Sequence, residues 1–375
     1  MHLPGNRITA SLLLLTAGLA LLLALAEVFF RVVLPAPDVP ALVFADGVLR
    51  HKPGQRGVYW DNEVRTPFAI NAQGWNSSHE SYPLARSEAR RIALVGGALA
   101  EALETPQGDS LAEELERDVK ALPKGVEVFR YGMGGAPLSQ HLLVARKAAL
   151  PARPDILMVL LAPEDIAASH QPMAAPRAAH FLKLRLDAED MVEELPATPY
   201  AQSLGERLRQ WSATLRYLSS GMGLHQDTAE RLLRRPRPDC RFEAAATAAA
   251  PVMDPDEREA LDRRAARYLL GRLQAEANAA GAKLLVVMDG ARAELETGAP
   301  NAELVQALEP NRLAAAEAEL LGIAFLDLHP AFAEDFQKHK KTFSPQADAQ
   351  WNAYGHAVAA SAVAAKLNGL GWLQP

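Results

Sequence analysis

Arg91-Ile92-Ala93-Leu94-Val95-Gly96-Gly97-Ala98 sets a short apolar run between charge and glycine. That is the pattern of a strand buried on both faces of a parallel sheet. The two glycines that follow it end the strand and open a turn. Working outward, similar runs recur: Val126 to Tyr131 reads as a second strand, and Ile156 to Leu161 as the third and most continuous. Lys283 to Met288 and Ile323 to Leu328 are the fourth and fifth. Between them apolar residues fall at helical spacing. Ser110 to Leu122 predicts one helix, with Asp109 as its N-cap, and Leu138 to Leu150 predicts the next. Ala-rich helical stretches precede the fourth and fifth strands, and Ala353 to Leu367 closes the domain as a helix. Strands alternating with helices predict an α/β fold, a three-layer α/β/α sandwich with a central five-stranded parallel sheet.

Four segments carry a resemblance to a known family. They are Arg91 to Ala98, Arg130-Tyr131-Gly132-Met133-Gly134-Gly135, Pro154 to Asp165 (ending Ala162-Pro163-Glu164-Asp165), and Asp348-Ala349-Gln350-Trp351-Asn352-Ala353-Tyr354-Gly355-His356. In order and spacing they resemble the SGNH (GDSL-type) hydrolases, across a domain of residues 90–372. The resemblance implies a flavodoxin-like sheet with the active site at one strand edge. It implies a nucleophilic Ser after the first strand, a glycine on the second block whose N–H supports an oxyanion, and an Asn on the third. Near the C-terminus it implies Asp-x-His. The matching positions here are Ala98, Gly135, Glu164, Asp348 and Gln350. Arg65 to Trp75, with Ile70-Asn71 followed by Gly74, resembles the lead-in of membrane-anchored members; read by itself it is a β-turn at Asn71 to Gly74.

These replacements remove the usual chemistry. Ala98 has no nucleophilic atom, and the Gln350 amide neither gains nor loses a proton near neutrality. Glu164, when ionised, only accepts hydrogen bonds and repels a developing oxyanion. Asp348 is left as an orienting carboxylate without a histidine to orient. His356, six residues past Gln350, is the candidate substitute base, although the resemblance matches it to a structural histidine. Ser139 and His141 stand two apart, which on a helix turns them to different faces. Glu164 with Asp348 offers a carboxylate pair of the kind that runs acid/base hydrolysis. Asp327, His329 and His339 follow no recognised ligand spacing, so neither metal nor cofactor is expected.

The remaining features bound the function. The chain has 375 residues, 49% hydrophobic and 22% charged, with a net charge of −6. That is a globular composition, and it does not point to nucleic acid. The single cysteine, Cys240, excludes an internal disulfide. Ile8 to Ala26 is a Leu-rich apolar run behind Arg7, long enough to cross a bilayer core. Ala24-Leu25-Ala26 has the form of a signal-peptidase site, but apolarity resumes at Val28-Phe29-Phe30 and Val32-Val33-Leu34. Residues 1–35 are therefore expected to be an uncleaved signal-anchor, N-terminus inside, leaving the rest outside the cytoplasm on the periplasmic side. Residues 36–89 form a linker and lead-in. A basic, Leu- and Trp-bearing helical insertion is expected at about residues 167–257, either a solvated excursion or a face for anionic lipid or polysaccharide. The expected function is a catalytically degenerate, membrane-anchored SGNH-like protein that binds an acylated envelope glycan or an envelope assembly protein. The alternatives are an active ester hydrolase or O-acyltransferase using non-standard residues, and a structural subunit of a polysaccharide assembly.

Overall fold

The computed structural model describes residues 5–34, 36–61, 64–119, 125–173, 177–187, 191–221, 254–344 and 350–373. Asp348, Cys240 and the arginines from Arg231 to Arg237 lie outside the described residues. The chain divides into two compact units. The smaller comprises residues 1–39, 57–65 and 202–235, and the larger holds the remainder.

In chain order, α1 (Gly5–Val32) comes first. Its segment Thr9–Val32, 24 residues of mean hydropathy 2.4, is long and apolar enough to cross a membrane. β1 (Leu42–Ala45) and β2 (Val48–His51) pair antiparallel around Asp46-Gly47. Both turn residues have positive φ, 55° and 81°, as a two-residue hairpin turn requires. β3 (Arg56–Asp61) pairs with β4 (Val64–Ala69). The main domain then begins with β5 (Arg90–Gly96), α2 (Ala98–Glu101), α3 (Leu111–Asp118), β6 (Val126–Gly132), α4 (Leu138–Val144) and β7 (Ile156–Leu161). β8 (Lys183–Leu186) and β9 (Val192–Leu195) make a second hairpin, followed by α5 (Leu204–Trp211) and α6 (Ala213–Arg216). After α7 (Pro255–Ala279) come β10 (Lys283–Met288), α8 (Arg292–Thr297), α9 (Asn301–Ala307), α10 (Glu309–Leu320), β11 (Ala324–Asp327), α11 (His329–His339) and α12 (Ala353–Gly369).

The central sheet has the order β11-β10-β7-β5-β6 and every pairing is parallel. Alternate residues on each strand feed opposite layers. Ala93, Val95, Leu157, Val159, Leu161, Val286 and Met288 pack with Leu138 and Leu142 of α4 and Leu269 and Leu273 of α7. Ile92, Leu94, Met158, Leu160, Leu285 and Val287 pack with Leu111 and Leu115 of α3, Phe332 of α11 and Val363 and Leu367 of α12. The expected three-layer α/β/α sandwich is therefore present. β5 is first in sequence but lies between the second and third strands, so the winding reverses between β5 and β7. Ligands bind outside the strand C-termini at such a switch point.

Three local expectations change. Asp109 ends a tight turn, Gln107–Asp109, and Ser110 takes the extended N-cap geometry at the start of α3. α4 stops at Val144, where the chain widens into a π turn over Ala145–Ala149. The segment expected to be helical from residue 167 contains the β8–β9 hairpin. Lys183-Leu184-Arg185-Leu186 and Val192-Glu193-Glu194-Leu195 alternate apolar and polar, and Leu184 is buried in the core. A count of arginines passes over that two-residue period.

Candidate functional site

The site is assembled from loops at the C-terminal ends of β5, β6, β7 and β10. Gly97 and Ala98 follow β5 directly, and Ala98, half-buried, begins the single turn α2. α2 rests on the end of β6 because Gly132 lacks a side chain: a Cβ there would lie 2.0 Å from the Glu101 nitrogen. The same close approach brings the Gly134 backbone to Ala98. A Cβ on Gly134 would meet the Ala98 methyl at 3.8 Å and Glu101 Oε2 at 2.8 Å. Gly135, the glycine matched by resemblance, is exposed with φ +74°.

Glu101 occupies this loop. Gly134 N–H donates to its Oε2 at 2.8 Å, and its Oε1 is hydrogen-bonded to His51 Nε2. Both side chains are buried, His51 1% and Glu101 5% exposed. Burial works to raise the Glu101 pKa. The bond to His51, the charges of His51 and Arg177 and the Gly134 N–H outweigh it and hold the carboxyl below its ordinary value. Glu101 is thus an anion seated on an N–H of the glycine block. His51 reaches it from β2, whose own N–H donates to Gly74 O at 3.1 Å. The Asn71–Gly74 turn is present: Asn71 Oδ1 accepts from Gln73 and Trp75 N–H, each at 3.0 Å. Gly74, at φ +89°, sits where a Cβ would come within 2.4 Å of His51 O. The lead-in therefore does more than connect; it delivers a histidine to the site.

Glu164 follows β7 but is exposed. Its neighbour Asp165 is the buried member of that block, 5% exposed, and accepts Ala162 N–H at 2.8 Å. Burial, joined by the nearby charges of Glu164 and Asp289, pushes the Asp165 pKa well above the carboxylate range. The carboxylate that meets the glycine block is Glu101, not Glu164.

The last block is anchored through Trp351. Its indole N–H donates to Asp289 Oδ1 at 3.0 Å, and its carbonyl accepts the Thr105 hydroxyl at 3.0 Å. Asp289, just past β10, is also paired with Arg292 at 2.9 Å, and both are buried. Arg292 Nη1 donates to Gln350 O at 3.4 Å. These links hold Gln350 between the loop after α2 and the end of β10, while Asp348 lies outside the described residues. His356 is 1% exposed in the first turn of α12. Its Nδ1 accepts Leu111 N–H at 3.1 Å, and its ring meets Trp351 edge-on. Burial, with Arg130 and Arg292 nearby, lowers its pKa to about 3.

Of the other expected residues, His141 comes beside the Gly97 turn. The Ser139 hydroxyl donates to Leu182 O at 2.6 Å. His141 is wholly buried, with Nε2 3.9 Å from where a Cβ on Gly97 would stand, and burial lowers its pKa to about 3. Asp327 accepts from Asn311 and from His329 N–H, whereas His339 lies 3.9 Å from Asp335. Among the described residues no three His, Cys, Asp or Glu converge as metal ligands. His51, Glu101, Asp289 and Arg292 were not legible as site residues. Only the spacing of Glu101, one helical turn past Ala98, signals anything.

A doubly wound sheet with four loops gathered at its switch point is the fold that the resemblance to SGNH-type hydrolases implies. Residues 249–374 match the family model of the SGNH hydrolase-like domain of the acetyltransferase AlgX, which bears out the resemblance read from the sequence. The matched span runs from α7 to the end of α12; Ala98, Gly135 and Glu164 precede it. Among solved structures, an α/β hydrolase, LAE5, from the metagenome of Lake Arreo is 12% identical, with 78% of this chain and 100% of that one covered and a TM-score of 0.42. A catalytic variant of an acetylxylan esterase from Geobacillus stearothermophilus is 12% identical, with coverage of 77% and 99% and a TM-score of 0.41. A lipase/acylhydrolase from Enterococcus faecalis is 13% identical, with coverage of 75% and 96% and a TM-score of 0.39. No curated protein matches the chain.

Proposed function

We propose that the chain is a membrane-anchored SGNH-type protein, N-terminus inside and main domain on the periplasmic side, that binds an acylated envelope glycan without hydrolysing its esters. One observation carries the reading: the nucleophile position holds only a methyl group, and the N–H of Gly134, the residue before the matched glycine Gly135, is already taken by the Glu101 carboxylate. An incoming acyl oxygen would find negative charge where it needs donors. Gln350 adds a side chain that moves no proton, and the Nδ1 of His356 is engaged by Leu111 N–H. The match to a domain of an acetyltransferase supports an acetyl-bearing ligand, and the glycan is the part of the proposal that comes from the family resemblance. An envelope assembly protein is the other occupant consistent with a cleft that performs no chemistry.

A second reading is an active ester hydrolase or O-acyltransferase, and the buried His51–Glu101 pair favours it, because a histidine hydrogen-bonded to a carboxylate on the helical turn that begins at Ala98 is a couple of the kind that serves acid–base catalysis. One experiment separates the two. Full-length protein in detergent is titrated with an O-acetylated oligosaccharide and with its deacetylated form, while acetate release is followed in the same samples. Saturable binding that needs the acetyl groups, with acetate at the buffer level, is the expected result. Acetate release that disappears in His51→Ala would replace this reading with the second, and equal or absent binding of both sugars would remove the glycan.

A further inference from the structure

The smaller unit contains an apolar stripe that the cleft does not explain. Leu204, Leu208, Trp211, Leu215 and Leu218 follow one another at spacings of four, three, four and three. They are 77%, 59%, 83%, 41% and 37% exposed. On α5 the first three share one helix face, at about 100° per residue, and Arg207 flanks it. The stripe is attached to the C-terminal end of α1. Glu27 accepts the Ala213 N–H at 2.8 Å, the Ser212 hydroxyl at 2.8 Å and the Thr214 N–H at 3.2 Å. Arg31 bridges Glu27 to the Trp211 carbonyl, with bonds of 2.8 and 2.7 Å. Phe30 stacks on Tyr217 at 4.3 Å, and Asp38 pairs with Arg216 at 3.6 Å.

These contacts fix where the stripe lies along α1. Glu27 stands near the end of the apolar segment Thr9–Val32, and its carboxylate is fully supplied with donors by the segment that carries the stripe. A charge at the edge of a bilayer core requires such partners. We propose that residues 204–218 form an interfacial collar. Its leucines and Trp211 enter the headgroup–acyl boundary of the outer leaflet, and Arg207 meets the phosphates of anionic phospholipid. Amphipathic helices with Trp and Leu on one face and arginine beside them bind such surfaces in this way. The collar rests on the reading that α1 spans the membrane, and it goes further by giving the smaller unit a lateral lipid contact beside that helix.

The test uses full-length protein with Cys240→Ser, reconstituted into phosphatidylcholine vesicles containing phosphatidylglycerol. An environment-sensitive fluorophore is attached at one of three positions: Leu208→Cys on the stripe, Arg209→Cys on the opposite side of α5, or Leu15→Cys within α1. Quenching by lipids spin-labelled near the headgroup or deep in the chain is then measured. The expected result is shallow quenching at 208 exceeding that at 209 by about twofold or more, with deep quenching at 15. Deep quenching at 15 with equal, water-like signals at 208 and 209 overturns the collar and leaves the anchor standing. Absence of deep quenching at 15 overturns the anchor and the collar with it. Shallow quenching at 208 that is unchanged when phosphatidylglycerol is omitted overturns the role given to Arg207.

Discussion

Replacing His51 by alanine removes the partner of a buried carboxylate. Glu101 would keep the Gly134 N–H at 2.8 Å and the charge of Arg177, but lose the side-chain hydrogen bond to His51, its only one among the described residues. Truncating one member of a buried pair leaves an uncompensated charge, at a cost of about 3–5 kcal/mol. For a domain of this size that corresponds to a fall in Tm of roughly 6–20 °C. The pH dependence carries the sharper signature. A carboxyl with a depressed folded pKa contributes stability that is present above its unfolded value, near 4.5, and lost as pH falls through the folded value. Without His51 the strongest lowering influence is gone while burial still opposes ionisation, so the folded value rises and the stabilisation at neutral pH shrinks. The gap between wild type and variant should therefore be widest near neutrality and narrow below pH 4.5. Urea unfolding of full-length protein in detergent, at pH 7 and in acid, measures it, with His339→Ala as an exposed control. A His51→Ala variant within about 0.5 kcal/mol of wild type, or a gap that stays constant in acid, would refute the pairing.

Three further outcomes follow from other contacts. Gly132→Ala should destabilise by about 1–3 kcal/mol or more, because its Cβ would sit 2.0 Å from the Glu101 backbone nitrogen; unchanged urea unfolding would contradict the seating of α2 on β6. His79 is half-buried and its hydrogen bond to Glu116 raises its pKa above 6.5. Its contribution is thus full below 6.5 and lost as pH rises through the raised value. Glu116→Gln should flatten the Tm–pH curve above 6.5, and a curve identical to wild type would argue against the pair. The triple variant Ala98→Ser, Glu164→Asn, Gln350→His should gain hydrolysis of short acyl esters while each single change stays at background, since nucleophile and base act as a unit. If the Glu101 anion dominates the oxyanion loop, adding Glu101→Gln should raise the triple variant's turnover further, and a decrease would separate Glu101 from that role.

The five strands were legible because burial on both faces writes a continuous apolar run into each, and Ile156–Leu161 and Lys283–Met288 were bounded as the structure has them. The absence of a nucleophile at Ala98 was equally plain, being a covalent fact. The boundaries that moved did so where side-chain contacts decide, as at Ser110, where the extended backbone starts α3 one residue later than Asp109 would. The β8–β9 hairpin was obscured by the arginines downstream of it. What only the tertiary structure decided is which charges meet. His51 and Glu101 are 50 residues apart, and Trp351 and Asp289 are 62 apart. Glu164 and Asp165 are adjacent, yet one faces solvent and the other is buried. Secondary-structure periods record which side of an element faces the core, within one or two turns. Pairing between distant loops depends on strand order and on close backbone approach at Gly74 and Gly132, which no local pattern encodes.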